Sequence, residues 1–446
     1  MSWYSTAESS GEIEEGWRVA SSFQNLRKEY KHSINRAFNS KLKSLVLLLL
    51  LALAACSQPT PTARPTPTAP ITRTTLHITT PRPITPTPRP TSTPRPSPTK
   101  TRAPTATPTR IANAITVALD AYLGNLQKQG QFSGTVLLAR NQRVIYQNSF
   151  GYANRTATIP FTNDTQFRIG SITKQMTAAA ILKLQAEGKL NVQDPICNYI
   201  SACPFGWTPI TIHHLLTHTS GIPNYDVFPD VLQWYAQPHT PQQILDRVQQ
   251  EPLLFAPGFQ FHYTNAGYVI LAMIIEQVSG DSYGEFLQAN FFDPLGMKHT
   301  GVQPELEQLA WGYLNSRTTL ENSTHPMDNS NMLGAANLYS TAPDLLLWAE
   351  ALDRWQNDPD SEYQAMFQPQ FVGPELEPGF SYGYGLSIEP RLNQIAIGHN
   401  GSVPGFASVL MRYPQSNLTV IILSNSEDMH SNTLSLTVAK IALGIP

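Results

Sequence analysis

The chain has 446 residues, 41% of them hydrophobic and 14% charged, with a formal net charge of -2 at pH 7. That is enough apolar material for one large core or two. The near-neutral total conceals a split, because residues 57–110 carry only basic charges while the acids lie mostly beyond them, and an acidic globular part argues against nucleic acid as a partner.

In chain order, the first feature is KLKSLVLLLLLALAACSQ, in which Lys41 and Lys43 precede an apolar run from Leu45 to Ala55 and then Cys56. The run is too short to cross a bilayer comfortably and fits the core of a signal peptide. Leu53-Ala54-Ala55-Cys56 resembles a bacterial lipobox, which implies a cysteine that is lipidated and becomes the mature N-terminus. The expectation is an exported protein, lipid-anchored through Cys56 on the extracytoplasmic face of a bacterial membrane. Glu8, Glu12, Glu14 and Glu15 make the lead long and acidic for a signal peptide, so translation is expected to start further downstream.

From Ser57 to Arg110 the chain is dominated by Pro and Thr and lacks Asp and Glu. Such a segment cannot bury enough apolar surface to offset its ordering entropy, so it reads as an extended spacer, partly polyproline II. The expected organisation is a leader over 1–56, a linker over 57–110 and a folded domain over 111–446.

The domain opens with ITVALDAYLGNLQKQ at helical spacing, followed by FSGTVLLARNQRVIYQNSFGYAN, which reads as two strands about a turn at Asn141-Gln142. It closes with FASVLMRYPQSNLTVIILSNS, a second strand pair about Pro414 to Asn417, and a final helix in SNTLSLTVAKIALGI. Helical and loop stretches lie between. The simplest architecture is α/β (α+β): an antiparallel sheet built from both chain ends, flanked by helices, with an inserted all-helical subdomain.

Within that insertion, Cys197 and Cys203 remain once Cys56 is assigned to lipid. An exported location permits a disulfide between them. Two buried thiols are the alternative.

FRIGSITKQMTAAAILKLQAEGKL places Ser171 and Lys174 where an apolar-periodic helix begins, with Met176, Ala180, Ile181 and Leu184 as its stripe and Gly188 at its end. Positions i and i+3 share a helix face, so the two side chains can touch. A serine in the first turn lies where free N–H groups and the positive dipole end favour developing negative charge. A lysine buried one turn on can lose its proton and serve as a base. The pattern alone is weak, since Ser40 to Lys43 and Ser97 to Lys100 repeat it in the leader and the linker.

Two further elements strengthen it. Tyr263-Thr264-Asn265 precedes a long apolar helix, whereas the similar triplets at Tyr146 and Tyr152 fall in expected strands and that at Tyr313 lacks a following apolar helix. His399-Asn400-Gly401 leads through a turn into a strand, where glycine would let a substrate backbone approach closely. The rival His299-Thr300-Gly301 sits at what reads as a helix-to-loop exit.

Taken together, these elements resemble the serine β-lactamase and penicillin-binding superfamily, and within it the class C-type branch of β-lactamases, D-alanyl-D-alanine carboxypeptidases, esterases and aminopeptidases. FRIGSITK, HHLLTHTSGIP, FHYTNAGY, NLYSTAPDLLLWAE and YGYGLSI with GHNGSVPGF extend the likeness over residues 115 to 445. It implies Ser171 as acylated nucleophile, Lys174 as its proton acceptor and Tyr263 as a proton relay. Asn265 would hold the substrate amide, His399, Gly401 and Ser402 would line the opposite wall, and the N–H groups of Ser171 and Ser402 would form the oxyanion hole. No metal or organic cofactor is implied.

Two departures bear on substrate. His399 stands where many β-lactamases carry lysine, and a neutral imidazole attracts a carboxylate less than an ammonium does. Asn337 in GAANLYST replaces a frequent glycine, either filling part of the pocket or sitting in a turn. His214 and His218 have the i, i+4 spacing of a zinc helix without the glutamate a metalloprotease needs, so the likeness makes them scaffold; His262, next to Tyr263, reads as a pocket-wall residue and not a catalyst. The expected function is a D-alanyl-D-alanine carboxypeptidase-like hydrolase working through an acyl-enzyme on a small peptide, ester or β-lactam. The alternatives are an esterase or weak β-lactamase on the same scaffold, and a non-hydrolysing β-lactam sensor or wall-binding module.

Overall fold

The computed structural model describes residues 108–225, 228–314, 327–373 and 378–445. Cys56, the leader and all but the end of the Pro/Thr-rich stretch lie outside the described residues.

Helix α1 (Pro108–Lys128) leads into β1 (Gly134–Arg140) and β2 (Arg143–Phe150). Asn141 and Gln142 join the two strands at φ 51° and 60°, the left-handed pair whose twist suits a two-residue hairpin. A short strand β3 (Phe167–Arg168) precedes the second helix, α2 (Thr173–Ala186). The inserted region follows, with several short helices and the long apolar α3 (Asn265–Ser279). Strand β4 (Tyr339–Ser340) returns to pair with β3, and α4 (Ala342–Asn357) follows it. Strands β5 (Ser381–Tyr382), β6 (Ser387–Arg391), β7 (Gln394–Val403), β8 (Phe406–Tyr413) and β9 (Leu418–Ser424) precede the closing helix α5 (Ser431–Leu443).

The main sheet has seven antiparallel strands in the order β2-β1-β9-β8-β7-β6-β5. Pairing of Val136 with Ile422 is one rung of the β1–β9 ladder that joins the two chain ends. The period-2 alternation of strands divides the core. Val136, Leu138, Val420 and Ile422 pack with Leu119 and Leu123 of α1 and Leu434 and Val438 of α5. Leu137, Ile421 and Leu423 face the other way, towards α2, α3 and α4. Burial on both faces explains why LTVIILS reads as a nearly continuous apolar run.

Helix α2 departs from the single stripe expected for it. Every residue from Thr173 to Leu182, and Leu184, is buried. It lies between the sheet and the inserted helices, so Thr173, Gln175 and Thr177 are enclosed as well as Met176, Ala180, Ile181 and Leu184. The polar members are held internally: Gln175 Oε1 accepts from Trp348 at 2.9 Å, and Thr177 Oγ1 donates to the Gly334 carbonyl at 2.7 Å.

The Tyr152 triplet also differs, lying beyond the end of β2 with Asn154 in an isolated bridge to Ile159. In the insertion, Cys197 and Cys203 are joined in a disulfide.

Candidate active site

Ser171 lies in a 3-10 turn, Gly170–Ile172, that runs directly into α2. Gly170 has φ +53°, and a Cβ there would stand 2.7 Å from the Ser402 nitrogen. Glycine is therefore required for the turn to lie against β7. Gly401 makes the reciprocal demand, since its Cβ would meet the Ile169 carbonyl oxygen at 2.0 Å. Ser408, opposite Gly401 on β8, donates through Oγ to that same Ile169 oxygen at 2.7 Å. Gly401 is thus needed for the protein's own nucleophile turn, a demand the sequence did not reveal.

Lys174 is fully buried, and its Nζ lies 3.1 Å from Ser171 Oγ, 2.8 Å from Asn265 Oδ1 and 3.0 Å from the Ala335 carbonyl oxygen. The two carbonyl oxygens only accept, so they take two N–H donors from the amine. What remains towards Ser171 is a third N–H if Lys174 is charged, or a lone pair able to accept the hydroxyl proton if it is neutral. Burial pushes the Lys174 pKa well below the ordinary lysine value, which favours the neutral amine.

Asn265 is the first residue of α3, and its N–H donates to Asn224 Oδ1 at 3.0 Å. With Oδ1 given to Lys174, the Asn265 Nδ2 donors are left for the cleft. The Tyr263 ring lies 4.6 Å from Lys174 Nζ. Burial raises the Tyr263 pKa well above the ordinary tyrosine value, an effect that its hydroxyl's interaction with Ser171 only partly offsets. Neutral phenol and neutral amine are the electrostatically consistent pair here.

The facing wall is β7. His399, Asn400, Gly401 and Ser402 lie within the strand itself, and the turn comes after them at Pro404-Gly405. Strand β6 pairs with β7 only as far as Gly398, whereas β8 pairs with it to Val403. One edge of residues 399–403 is therefore open. Ser171, Asn224, Tyr263, Asn265, His399, Asn400, Gly401, Ser402 and Ser431 line a cleft of about 490 Å³. The fold thus brings Ser171, Lys174, Tyr263, Asn265, His399, Gly401 and Ser402 together from three separate stretches of chain. Cys56 lies outside the described residues, and the Cys197–Cys203 bond belongs to the insertion.

The other candidates fall elsewhere. Asn337 follows the turn at residues 333–336 and closes it, with Oδ1 accepting from the Gly334 N–H at 2.9 Å, and does not line the cleft. His299 lies beside Asp164 and Glu305 and gives its N–H to Asp344. His214 caps its own short helix, Ile212–Leu216, by accepting the Thr211 N–H at Nδ1. His262 is absent from the cleft lining, and its N–H donates to the His218 carbonyl oxygen at 2.8 Å.

Sequence reasoning missed four contributors: Asn224, Ser431, the Ala335 carbonyl and His218. The ring of buried His218 lies 4.2 Å from the Tyr263 ring, tilted by 35°, and accepts the Thr264 N–H at Nδ1, which steadies the tyrosine's loop. The signal was present in HHLLTHTSG, where His218 takes φ +59°, but its meaning depends on packing between segments far apart in sequence.

A serine hydroxyl beside a buried amine, with amide donors and an open strand edge around it, is equipped for nucleophilic attack on a carbonyl. The comparisons agree. The beta-lactamase family model matches residues 119–442. Penicillin-binding protein 4* of Bacillus subtilis (strain 168) is 31% identical over 334 residues, covering 70% of this chain and 72% of that protein. A D-aminopeptidase of Gluconobacter oxydans (strain 621H) is 26% identical over 325 residues, covering 70% of this chain and 59% of that one. The structure of the octameric penicillin-binding protein homologue from Pyrococcus abyssi matches with TM-score 0.65 and 30% identity, over 74% of this chain and 77% of that one.

Proposed function

The chain belongs to the beta-lactamase family of serine hydrolases, and on that premise we propose that it cleaves D-aminoacyl substrates, with D-alanyl peptides as the favoured acyl donors, through an acyl-enzyme on Ser171. The observation that carries the reading is the 3.1 Å contact between Ser171 Oγ and a buried Lys174 whose other two partners only accept. In acylation the Ser171 Oγ–C bond forms as the proton passes to neutral Lys174. The C–N or C–O bond to the leaving group then breaks, and the leaving group takes that proton by way of Tyr263. A water molecule reverses the sequence, giving the free acid and restoring Ser171. The N–H groups of Ser171 and Ser402 would hold the oxyanion, where loss of one donor costs about 3 kcal/mol.

The D-substrate class is supported by the D-aminopeptidase relative, and the penicillin-binding relatives support a peptidase. An esterase or amidase is the second reading, favoured by the uncharged side chains that line the cleft. Intact mass spectrometry of the full-length protein after exposure to a D-alanyl ester tests both. An adduct absent from Ser171→Ala is expected; hydrolysis that persists in that variant would overturn the proposal.

The same reading anchors the protein by a lipid on Cys56, with residues 57–107, ahead of α1, as the tether. The support is the lipobox-like Leu53-Ala54-Ala55-Cys56. Metabolic labelling with a fatty acid should mark the wild type and not Cys56→Ser.

A further inference from the structure

The ring of His399 has both nitrogens engaged. Nδ1 lies 2.6 Å from the Asn400 carbonyl oxygen, which only accepts, so Nδ1 carries the proton. Nε2 lies 3.0 Å from the hydroxyl of Tyr382. In that tautomer Nε2 is a lone pair, and Tyr382 is its donor. Tyr382 is buried on β5, its ring perpendicular to the imidazole at 5.9 Å. On the other side, the Tyr263 ring lies 6.0 Å away.

No ring N–H is thus left for a ligand, although His399 lines the cleft. The rest of the described lining offers Asn224, Asn265, Asn400, Ser402 and Ser431 as hydrogen-bonding side chains, and that lining includes no Lys or Arg. Such a surface suits carbonyl and amide groups, while a carboxylate entering it would lose hydration without meeting a cation.

We propose that Tyr382 is a specificity-determining residue: by occupying His399 Nε2 it withholds the imidazole from a substrate carboxylate, so the cleft prefers acyl donors whose leaving group is uncharged. The inference rests on the acyl-enzyme reading and narrows it to neutral amides and esters over free C-terminal acids. Tyr382 acts through His399 and is a positioning residue.

Protonation of the ring is the other route to a carboxylate partner, and its surroundings oppose it. Burial first, and then Lys174 of α2, lower the His399 pKa to about 4, against a smaller opposing effect of the Asn400 carbonyl. The other titratable groups near it are Tyr263, which precedes α3, Tyr382 of β5, and His218, which feels His399 in turn. None is an acid that would hold an imidazolium in place.

The test uses full-length protein and two donors with one acyl group, N-acetyl-D-alanyl-D-alanine and its C-terminal amide. The wild type should prefer the amide by about tenfold or more in kcat/KM, with a ratio that is flat from about pH 5.5 to 8. Tyr382→Phe should shift the ratio towards the acid by about tenfold, because the freed Nε2 can then carry the neutral ring's proton towards the cleft. A wild-type preference for the free acid, or a ratio within about twofold of wild type in an active Tyr382→Phe, overturns the inference. The wild-type ratio stands even if the variant does not fold. Persistence of both hydrolyses in Ser171→Ala would instead count against the acyl-enzyme reading, so the two failures are distinguishable.

Discussion

The two walls of the cleft are made in opposite ways. Ser171 and Lys174 stand three residues apart and meet at the start of one helix. The wall opposite exists only because β7 lies against the nucleophile's turn, a junction closed by Ser408 and Ile169, which are 239 residues apart. Local spacing decides which groups can touch, and remote packing decides what state they are in. Even on the local side, Lys174 owes its environment to Asn265 and Ala335, which are 91 and 161 residues away.

Breaking the local wall should have the largest effect. Ser171→Ala or Lys174→Met is expected to lower kcat by about a thousandfold or more, and the double variant should be little worse than either single one, because the two act as a unit. Steady-state hydrolysis of a D-alanyl ester checks this; additive losses would break the pairing.

Next comes pH. Burial lowers the Lys174 pKa, so above the lowered value the amine is neutral and accepts the Ser171 proton, and below it the amine is charged and cannot. The acylation rate should therefore fall about tenfold per pH unit on the acid side of that value and be flat above it. A rate that rose only near the ordinary lysine pKa would contradict the burial argument.

Breaking the remote wall acts on fold and activity together. In Gly401→Ala the new methyl would meet the Ile169 oxygen and, at 2.3 Å, Ser408 Oγ. A loss of about 2–4 kcal/mol in denaturant unfolding is expected, along with reduced acylation, because the oxyanion donors shift.

The smallest effect is expected at Asn337, whose side chain closes the turn before it. Asn337→Ala removes its bond to the Gly334 N–H and should cost about 1 kcal/mol of stability. Ester hydrolysis should stay within about twofold of wild type, and a larger change in KM would return Asn337 to the pocket.

The strand pairs at both chain ends, the turn at Asn141-Gln142 and the start of α2 were readable because each rests on short-range rules: alternation, left-handed turn residues and helical spacing. The burial of α2 on almost every side was not, since Gln175 and Thr177 look like a solvated face until Trp348 and Gly334 are known to meet them. His399 was readable as a wall residue. Its partner Tyr382, 17 residues earlier, was not, because nothing in local sequence says that β5 and β7 place hydroxyl and imidazole 3.0 Å apart.

The amino-acid sequence by itself determined the strand pairs and helices at the two ends of the domain, the serine and lysine at one helix start, and the tyrosine, asparagine and histidine motifs that accompany them, because each of these is written in patterns a few residues long; strands β5 to β7, in a stretch that reads as helix and loop, it did not. Only the tertiary structure decided that Lys174 is enclosed among acceptors, that Gly170 and Gly401 exist to let two backbones touch, and that His399 has no free N–H. Those properties are set by desolvation and by distances between segments far apart in the chain, which no local pattern encodes.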